Sequence, residues 1–413
     1  MRSVAVIAEF NPFHNGHAHL LREIRRRLGD DTLVTAIMSG WYVQRGAPAI
    51  ADPYTRAEMA LAAGFDLVLE LPFPYSIGSA ADFASAGVAL ADRLGCFDML
   101  AFGCECDDIE TLERLGTIRA SDAYRTAVER ARSDGEGKRL GYAALSRRVL
   151  SELCGDSAVA ALAPNNTLAI EYLAALRTRQ SPIVPLPVKR IGDGYASEVP
   201  LHSKITSAGA IRPLLSKENI DKIERYIEAE ALSPLSRAIL CAEAPVLVSN
   251  RLSDAILAFF IASSDSSVSP SSGSGADAEL VRRLCTAARD ALDLDDLLDR
   301  VSARSLTDSY IRRVMLRAFL GVTSSELRQS PEYTRVLGFR DSGRALLRLA
   351  KRKGNVALLT KSADYSSLPE PAAKQAARAL GADRFCYLAM PSPRPAADAY
   401  RGAPRHFRTD SPD

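Results

Sequence analysis

The feature that most constrains the fold is an alternation of short apolar runs with helix-length segments, which begins at residue 4. The strand-like runs are residues 4–8, 32–38, 67–71, 98–103 and 183–188, and the helix-length segments between the first three are residues 17–28 and 54–63. Strand, helix and strand at this spacing favour right-handed crossovers, which align the strands in parallel and cover both faces of the sheet with helices. The sequence therefore predicts an α/β fold with a doubly wound parallel sheet.

The chain changes character near residue 235. Apolar positions recur with helical spacing in residues 252–262, 279–294, 309–320 and 343–350. A length of 413 residues is also long for one compact unit. We therefore predict a first domain of residues 1–235 that contains the sheet, a mostly α-helical second domain of residues 236–391, and a flexible tail of residues 392–413.

The composition indicates a globular protein of a reducing compartment. Hydrophobic residues make up 47% and charged residues 25% of the chain, which are ordinary values for a folded protein. None of the seven cysteines forms a CxxC pair, which favours reduced thiols over a disulfide framework. The apolar run of residues 4–8 is too short for a signal peptide, and no run is long enough to span a bilayer. We expect a cytoplasmic protein without a membrane partner.

Two histidines three residues apart stand directly after the first strand, where a helix is predicted to begin. If a triphosphate binds there, His14 and His17 lie on one side of the first helical turn and can donate hydrogen bonds to phosphate oxygens. Gly16 lacks a Cβ and lets adenine and ribose approach the backbone, and the helix start adds free N–H groups. We predict a nucleotide site with His14 and His17 as its catalytic groups; a helix cap, or a metal site that includes His19, is the alternative.

The segments that carry this site resemble a known family. Residues 8–17, Ala-Glu-Phe-Asn-Pro-Phe-His-Asn-Gly-His, are similar to the opening of the bacterial tRNA(Met) cytidine acetate ligases, which belong to the HIGH-motif nucleotidyltransferase superfamily. Further similarities lie in residues 38–40, 43–46, 48–50, 55–60, 66–72, 102–103, 164–166, 188–192 and 335–339. The resemblance implies a nucleotidyltransferase (HUP-like) domain followed by a mostly helical domain.

The resemblance also implies a reaction and a set of binding residues. ATP and acetate would give an acetyl-adenylate and pyrophosphate, and the acetyl group would pass to the exocyclic amine of the wobble cytidine of elongator tRNA(Met). The implied ATP-binding residues are Ile7, Ala8, Glu9, Phe10, Asn11, Pro12, Phe13, His14, Asn15, Gly16, His17, Ala18, His19, Leu20, Gly103, Asn165, Asn166, Arg190 and Ile191. An Asn amide can bind the adenine edge and an Arg can grip phosphates. We expect Mg²⁺ to arrive with the phosphates and predict no metal site made by the protein.

Two positions depart from the pattern of the family. Its Ser-Ala-Thr-Ala-Ile-Arg segment, which resembles a mobile loop that clamps phosphates, is Ser207-Ala-Gly209-Ala-Ile-Arg212 here, so the hydroxyl at position 209 is missing. We predict that Ser207 and Arg212 clamp phosphates with reduced or relocated contacts. Trp41 replaces a small polar residue, which we expect to alter the rim of the pocket.

A basic stretch in the second domain predicts an RNA surface. Residues 304–361 contain 13 Lys and Arg against 4 Asp and Glu, a net charge of +9 in a chain whose total is +2. Such a local excess is typical of contact with a phosphate backbone. The predicted RNA-binding residues are Arg312, Arg313, Lys351, Arg352 and Lys353. A solvated helix face is the alternative, and Tyr310, Tyr333 and Phe339 either stack on unpaired bases or pack in the core.

Three other charged residues accompany the second segment of the resemblance. Arg45 lies in a polar turn at the predicted carboxyl edge of the sheet, so we interpret it as a phosphate or RNA contact, with a solvated loop residue as the alternative. Asp52 and Arg56 are four residues apart at a helix start, and we predict an ordinary cap and salt bridge.

Two other functions stay open on the sequence. A small-metabolite adenylyltransferase would use the same ATP site without RNA, but the basic helical domain argues against it. A non-catalytic RNA-binding protein would explain the missing hydroxyl at position 209, although the intact His14, Gly16 and His17 count against it.

Overall fold

The computed structural model describes residues 2–105, 109–134, 142–155, 164–191, 204–215, 219–244, 251–265, 276–303 and 306–408. Its strands are β1 Ser3–Ala8, β2 Leu33–Ser39, β3 Tyr42–Val43, β4 Ala47–Pro48, β5 Leu67–Leu71, β6 Met99–Cys104, β7 Val184–Lys189, β8 Tyr333–Arg340, β9 Ala357–Leu359 and β10 Arg405–Phe407. Its α-helices are α1 Asn15–Leu28, α2 Pro53–Ala62, α3 Ala80–Leu94, α4 Ile109–Ala120, α5 Asp122–Ser133, α6 Tyr142–Cys154, α7 Pro164–Thr178, α8 Ala208–Ile211, α9 Ile220–Ile223, α10 Ala229–Leu240, α11 Arg251–Asp265, α12 Ala276–Ala288, α13 Leu294–Val301, α14 Asp308–Phe319, α15 Ser324–Arg328, α16 Arg344–Lys353 and α17 Glu370–Ala389.

A mixed, mostly parallel sheet organises the molecule. Its strand order is β10-β8-β5-β2-β1-β6-β7, and β9 pairs with β8 at the side. Strands β5, β2, β1, β6 and β7 are parallel to one another, whereas β8 runs antiparallel to β5. Helices connect the parallel strands by crossovers, as parallel neighbours require. The predicted doubly wound α/β fold is confirmed.

Strand β1 lies at the centre and is buried from both sides. Ala5 and Ile7 pack into a cluster with α3 and α7, while Val4 and Val6 pack into a second cluster with α1, α2 and α10. Successive side chains of a strand point to opposite faces, so a run of apolar residues without alternation suits a sheet covered on both sides. The end of β1 is thereby held at the middle of the carboxyl edge of the sheet.

The later part of the chain contains strands that the sequence analysis did not predict. Residues 335–339 lie within β8, which adds to the sheet of the first part instead of belonging to a helical bundle. In the predicted flexible tail, Ala396–Tyr400 forms a short 3-10 helix and Arg405–Phe407 forms β10. These segments form strands because they pair with residues distant in the sequence, and local composition does not reveal such pairing. The division into domains at residue 235 stays a prediction.

The helices predicted in the second part are present. Helices α11, α12, α14 and α16 cover most of the four segments with helical spacing. The apolar side chains of α11, α12 and α14 form a third cluster with α13, α17 and the buried Trp41 and Tyr42. Leu346 and Ala350 of α16 pack instead into the cluster of Ala5 and Ile7. Among the described residues, none of the helices has the length and apolar character needed to cross a bilayer.

A buried group of three charges joins β8 to both parts of the molecule. Arg335 donates to both carboxylate oxygens of Glu70 on β5, and through Nη2 to Asp383 of α17 at 2.7 Å. The side chains are at most 7% exposed. Burial raises the pKa of Asp383 to about 6, and Arg335 opposes that rise. Because these charges have left water, the two carboxylates depend on the one guanidinium.

We predict that Arg335→Met destabilises the protein by about 3–5 kcal/mol at pH 8, because it leaves two buried carboxyl groups without their cation. Urea unfolding measures the change. The loss should shrink toward pH 5, since a carboxyl whose folded pKa is raised becomes neutral, and less costly to bury, as the pH falls. Arg344→Met, at the exposed pair with Asp341, should cost no more than about 0.5 kcal/mol. Equal losses in the two variants would contradict the role of Arg335.

Candidate active site

The predicted site lies where four parallel strands end. Strands β1, β2, β6 and β7 are adjacent and parallel, so their carboxyl ends open on the same edge of the sheet. Segments 9–14, 40–46, 103–105 and 190–191 continue from these ends. Ligands of open α/β sheets bind at this edge. The structure therefore brings together sequence motifs that lie up to 180 residues apart in the chain.

The two histidines cap the first helix with their own rings. His14 is the N-cap residue of α1, and its Nδ1 accepts a hydrogen bond from the N–H of Gly16 at 3.0 Å. The Nδ1 of His17 accepts from the N–H of His14 at 3.2 Å. The ring centroids of the two histidines are 3.9 Å apart. Both histidines therefore cap the helix. Only Nδ1 of each ring takes part in the cap, and a contact of either ring with a nucleotide stays a prediction.

The surroundings keep both rings neutral. Burial, together with the nearby Arg190 and Arg212, lowers the pKa of His14 to about 3. Burial, then His14 and Arg190, hold the pKa of His17 well below its usual range. A neutral ring has one N–H, and a Nδ1 that accepts a hydrogen bond carries none. The proton of each ring is therefore on Nε2, where it can be donated to an anion.

Gly16 permits this arrangement for a reason the sequence did not show. A Cβ on Gly16 would lie 2.8 Å from Cε1 and 3.0 Å from Nδ1 of His14. The adjacent Asn15 donates through Nδ2 to the carbonyls of Lys204 and Arg225 at 2.9 and 3.1 Å. These bonds attach the residues on either side of the predicted clamp loop, 207–212, to the start of α1. Gly16 therefore makes room for an imidazole, in addition to any nucleotide.

The ends of β6 and β7 contribute an arginine. A Cβ on Gly103 would lie 3.0 Å from Cγ of Arg190, so the arginine stem runs across the glycine. The N–H of Arg190 bonds to the carbonyl of Cys104 at 2.8 Å. Asn166 is buried, and its Oδ1 accepts from the N–H of Glu105 at 2.8 Å. Ile191 is 48% exposed, and the side chain of Asn165 lies outside the described residues.

The predicted clamp loop returns to the same place. Arg212 donates to the carbonyl of Asn11 at 3.0 Å, and Oγ of Ser207 accepts from the N–H of Ala210 at 3.1 Å. A Cβ on Gly209 would lie 3.2 Å from Nη2 of Arg45, 3.3 Å from Oγ of Ser207 and 3.7 Å from Nη2 of Arg212. Two guanidinium groups and a hydroxyl therefore surround the position that the sequence leaves without a side chain.

Most of the other predicted nucleotide residues form the walls beneath this site. Within residues 7–20, the buried side chains include those of Ile7, Phe10, Asn11, Pro12, Phe13 and Ala18. Those of Ala8, Glu9, Asn15, His19 and Leu20 are partly exposed. The rings of Phe10 and Phe13 contact His17, with centroids 4.9 and 5.4 Å away. His19 lies 3.3 Å from the carbonyl of Lys189 through Nε2. Their contact with a nucleotide stays a prediction.

Arg56 and Trp41 have roles that differ from the prediction, whereas Asp52 behaves as predicted. Asp52 caps α2, as expected, by accepting from the N–H groups of Tyr54 and Thr55. Arg56, however, is fully buried and donates to backbone carbonyls instead of forming a surface salt bridge with Asp52. Trp41 is also buried and packs against Tyr387, with ring centroids 5.2 Å apart. It belongs to the core rather than to a pocket rim.

The predicted RNA-binding residues fall into two groups. Arg312 and Arg313 are in α14, which packs on the turn after β2: a Cβ on Gly46 would lie 2.6 Å from the backbone N of Arg313. Arg313 donates to the carbonyl of Gln44 at 2.6 Å, and Arg312 lies 3.3 Å from Asp295. The second group, Lys351, Arg352 and Lys353, is exposed at the end of α16. Its role in RNA binding stays a prediction.

The three aromatic residues named for the basic stretch make contacts within the protein. Tyr333 is 1% exposed and lies in the core, so its ring has no face for an unpaired base. Tyr310 donates to Asp277 at 2.7 Å, and Phe339 stacks on His406 with centroids 4.9 Å apart. Packing is the better interpretation of all three.

Within the part of the chain that the structure describes, no three His, Cys, Asp or Glu side chains are grouped so as to hold a metal ion. His14 and His17 direct Nδ1 at backbone N–H groups, and the proton on Nε2 prevents that atom from ligating a metal. The residues at the site do not fit a protein-held metal centre.

Comparison with known proteins places this geometry in a family. The sequence profile of the HIGH Nucleotidyl Transferase family matches residues 1–399. The tRNA(Met) cytidine acetate ligase of Caldanaerobacter subterraneus subsp. tengcongensis is 34% identical over 89% of this chain and 90% of its own. The tRNA(Met) cytidine acetate ligase of Syntrophotalea carbinolica is 37% identical over 89% of this chain and 87% of its own.

Two solved structures match the fold of this protein along nearly the whole chain. The apo crystal structure of Thermotoga maritima TmcAL matches with a TM-score of 0.90 and 27% identity, covering 99% of this chain and 100% of that one. The same Thermotoga maritima protein bound with alpha-thio ATP matches with a TM-score of 0.85 and 26% identity over the same shares.

We predict that His14 and His17 are neutral Nε2–H tautomers at every pH from 8 to 5. Long-range proton–nitrogen NMR spectra of the ¹⁵N-labelled protein distinguish the tautomers, and His14→Gln and His17→Gln assign the signals. Because burial lowers both folded-state pKa values below the unfolded value near 6.5, the stability from neutral rings is complete above pH 6.5 and is lost as the pH falls below it. Titration of either ring above pH 5, or a Nδ1–H signal, would refute this assignment.

Proposed function

We propose that this chain, which belongs to the tRNA(Met) cytidine acetate ligase family of HIGH nucleotidyltransferases, activates acetate with ATP and transfers the acetyl group to a tRNA. The acceptor is the wobble cytidine of elongator tRNA(Met), and the product is N4-acetylcytidine. The enzyme is a carbon–nitrogen ligase that converts ATP to AMP and pyrophosphate. We place its action in the cytoplasm.

The observation that carries the proposal is the pair of neutral histidines at the start of α1. Each ring uses Nδ1 to cap the helix, so each offers Nε2–H to a ligand. Donors that are fixed before the substrate arrives stabilise developing negative charge without reorganisation during the reaction. A pair of such donors beside a helix N-terminus suits the phosphates of ATP.

Three arginines supply the positive charge that neutral histidines lack. Arg190 and Arg212 are close enough to lower the pKa of His14, and Arg45 approaches Arg212 across Gly209. Guanidinium groups bind phosphate oxygens in forked pairs and keep their charge at any physiological pH. The arginines therefore attract the triphosphate, while the histidines donate hydrogen bonds to oxygens at its reacting end.

The first step forms the mixed anhydride. A carboxylate oxygen of acetate attacks the α-phosphorus of ATP, and the bond from that phosphorus to the oxygen that bridges to the β-phosphorus breaks. Pyrophosphate leaves with the electron pair of that bond, and His14 and His17 stabilise the charge that gathers on it. Mg²⁺ bound to the phosphates as part of the substrate would neutralise part of their charge; among the described residues, no group of side chains is arranged to hold a metal ion.

The second step transfers the acetyl group. The N4 amine of cytidine attacks the acetyl carbonyl carbon, the bond from that carbon to the phosphate oxygen breaks, and AMP leaves with this oxygen. The amine loses one proton to solvent or to a base. Helix α14 packs directly on the 44–46 turn at the rim of the site, so RNA that contacts α14 lies next to the adenylate.

The direct test incubates the purified protein with ATP, labelled acetate and total tRNA from cells that lack the modification, followed by nucleoside analysis. We expect labelled N4-acetylcytidine in elongator tRNA(Met), together with AMP and pyrophosphate. His17→Ala should abolish adenylate formation and leave tRNA binding nearly intact, because the ring acts on phosphates. AMP formation with the label on another acceptor would instead favour a small-metabolite adenylyltransferase. Equal loss of both properties in His17→Ala would make the histidine structural.

We predict that replacing Lys351, Arg352 and Lys353 together by Gln weakens tRNA binding and lowers the slope of log K against log salt by about 2–3, because up to three phosphate contacts disappear. Acetate-dependent exchange of pyrophosphate into ATP without tRNA should not change. Filter binding at several salt concentrations measures the slope.

The matched control for this surface replaces Arg125, Arg130 and Arg132 by Gln, which are three exposed arginines of α5. This variant removes the same charge from another helix, and we expect an unchanged slope. Equal effects of the two triple variants would show that net charge, rather than the end of α16, governs RNA binding.

A further inference from the structure

One buried cation lies beneath the site without touching it. Arg56 of α2 is 0% exposed. Its Nε donates to the carbonyl of Ala51 at 3.1 Å, its Nη1 to that of Glu9 at 2.5 Å, and its Nη2 to those of Ser39, at 3.1 Å, and Gly40. A guanidinium has five N–H groups in a fixed plane, so one side chain can satisfy several carbonyls at once.

Three of these four carbonyls belong to the two turns that carry the site, and that of Ala51 lies just before α2. Glu9 follows β1, and Ser39 and Gly40 end β2 and begin the turn that leads to Arg45. The same two turns are joined a second time, because Oε1 of Glu9 accepts from the N–H of Gln44 at 2.6 Å. Arg56 and this bond together close a ring of contacts around the carboxyl ends of β1 and β2.

The charge of Arg56 is retained in spite of its burial. Desolvation lowers its pKa to about 10, and the carboxylates of Asp52, Glu9 and Glu70 oppose that change. The group is therefore protonated at neutral pH. A buried charge is stable only when it is well paired and hydrogen-bonded, so the four carbonyls and the arginine fix one another.

We propose that Arg56 is a positioning residue for acetyl-adenylate formation: it locks the turns after β1 and β2, and through them the Glu9–Gln44 bond and the placement of Arg45 beside Gly209 and Arg212. It touches no substrate in this account. The inference rests on the proposed function for its kinetic consequence, but the locking of the turns is a property of the protein alone.

The competing explanation is that Arg56 only stabilises the fold. Arg25 provides a matched control, because it also donates to a backbone carbonyl, that of Gly64, and its salt bridge to Asp66 lies at the start of β5, on the edge of the sheet away from the site. Arg56→Lys and Arg25→Lys both keep the charge and lose the fork. Both should lower the midpoint of thermal unfolding.

Two readouts separate the explanations. Hydrogen–deuterium exchange of the peptide that contains Gln44 should be faster by about tenfold or more in Arg56→Lys and unchanged in Arg25→Lys, because only the first frees the Glu9–Gln44 bond. In acetate-dependent ATP–pyrophosphate exchange, Arg56→Lys should lower kcat by about tenfold or more, with the KM for ATP within about threefold of the wild-type value. Arg25→Lys should change neither constant.

The proposal is overturned if Arg56→Lys loses thermal stability while both the exchange at Gln44 and kcat match those of Arg25→Lys. If the wild-type protein shows no acetate-dependent exchange, the proposed function fails, and the deuterium readout still decides the role of Arg56. If Arg56→Lys does not fold, Glu9→Gln keeps Arg56 and weakens the bond to Gln44. Hydrogen–deuterium exchange of the peptide that contains Gln44 must then be faster in Glu9→Gln as well, and unchanged exchange would refute the proposal.

Discussion

The parallel alignment of β1, β2, β6 and β7 is the constraint on which the rest of the site depends. Parallel strands end at a common edge, and the burial of β1 on both faces fixes the place from which α1 starts. Histidines, arginines and the loop around Gly209 then meet although they are distant in the sequence. The chemistry of the site is a consequence of which strand ends are neighbours.

Capping is the second constraint, because it decides which ring nitrogen of each histidine carries the proton. A Ser or Asp cap would satisfy the first N–H groups of α1 equally well, but would offer no N–H donor to a ligand. Imidazole does both, since one nitrogen accepts from the backbone and the other donates. Burial and neighbouring arginines hold the rings neutral. Positive charge and directional hydrogen bonding are thus assigned to different side chains.

The sequence revealed the parts of the structure that depend on local patterns. The strand–helix alternation predicted the central sheet, and the position of His14 and His17 after the first strand predicted where a ligand site would lie. Gly103 and Arg190 were implied by resemblance and are in contact. The roles of Arg56 and Arg335 were not predictable, because each is defined by partners far along the chain: Glu9 for Arg56, and Glu70 and Asp383 for Arg335. Strands β8 and β10 were not predicted for the same reason, because each pairs with a strand that is distant in the sequence: β8 with β5, and β10 with β8.

The proposed reaction joins acetate to the α-phosphate of ATP at this site. The most direct measurement uses acetate labelled with ¹⁸O in both oxygens, with ATP and tRNA, and mass spectrometry of AMP, pyrophosphate and N4-acetylcytidine. We expect one ¹⁸O in the AMP phosphate, one in the acetyl group of the nucleoside and none in pyrophosphate, because the attacking oxygen stays on the α-phosphorus when the acetyl group leaves. Unlabelled AMP together with labelled pyrophosphate or phosphate would contradict it, since acetate would then have attacked a different phosphorus.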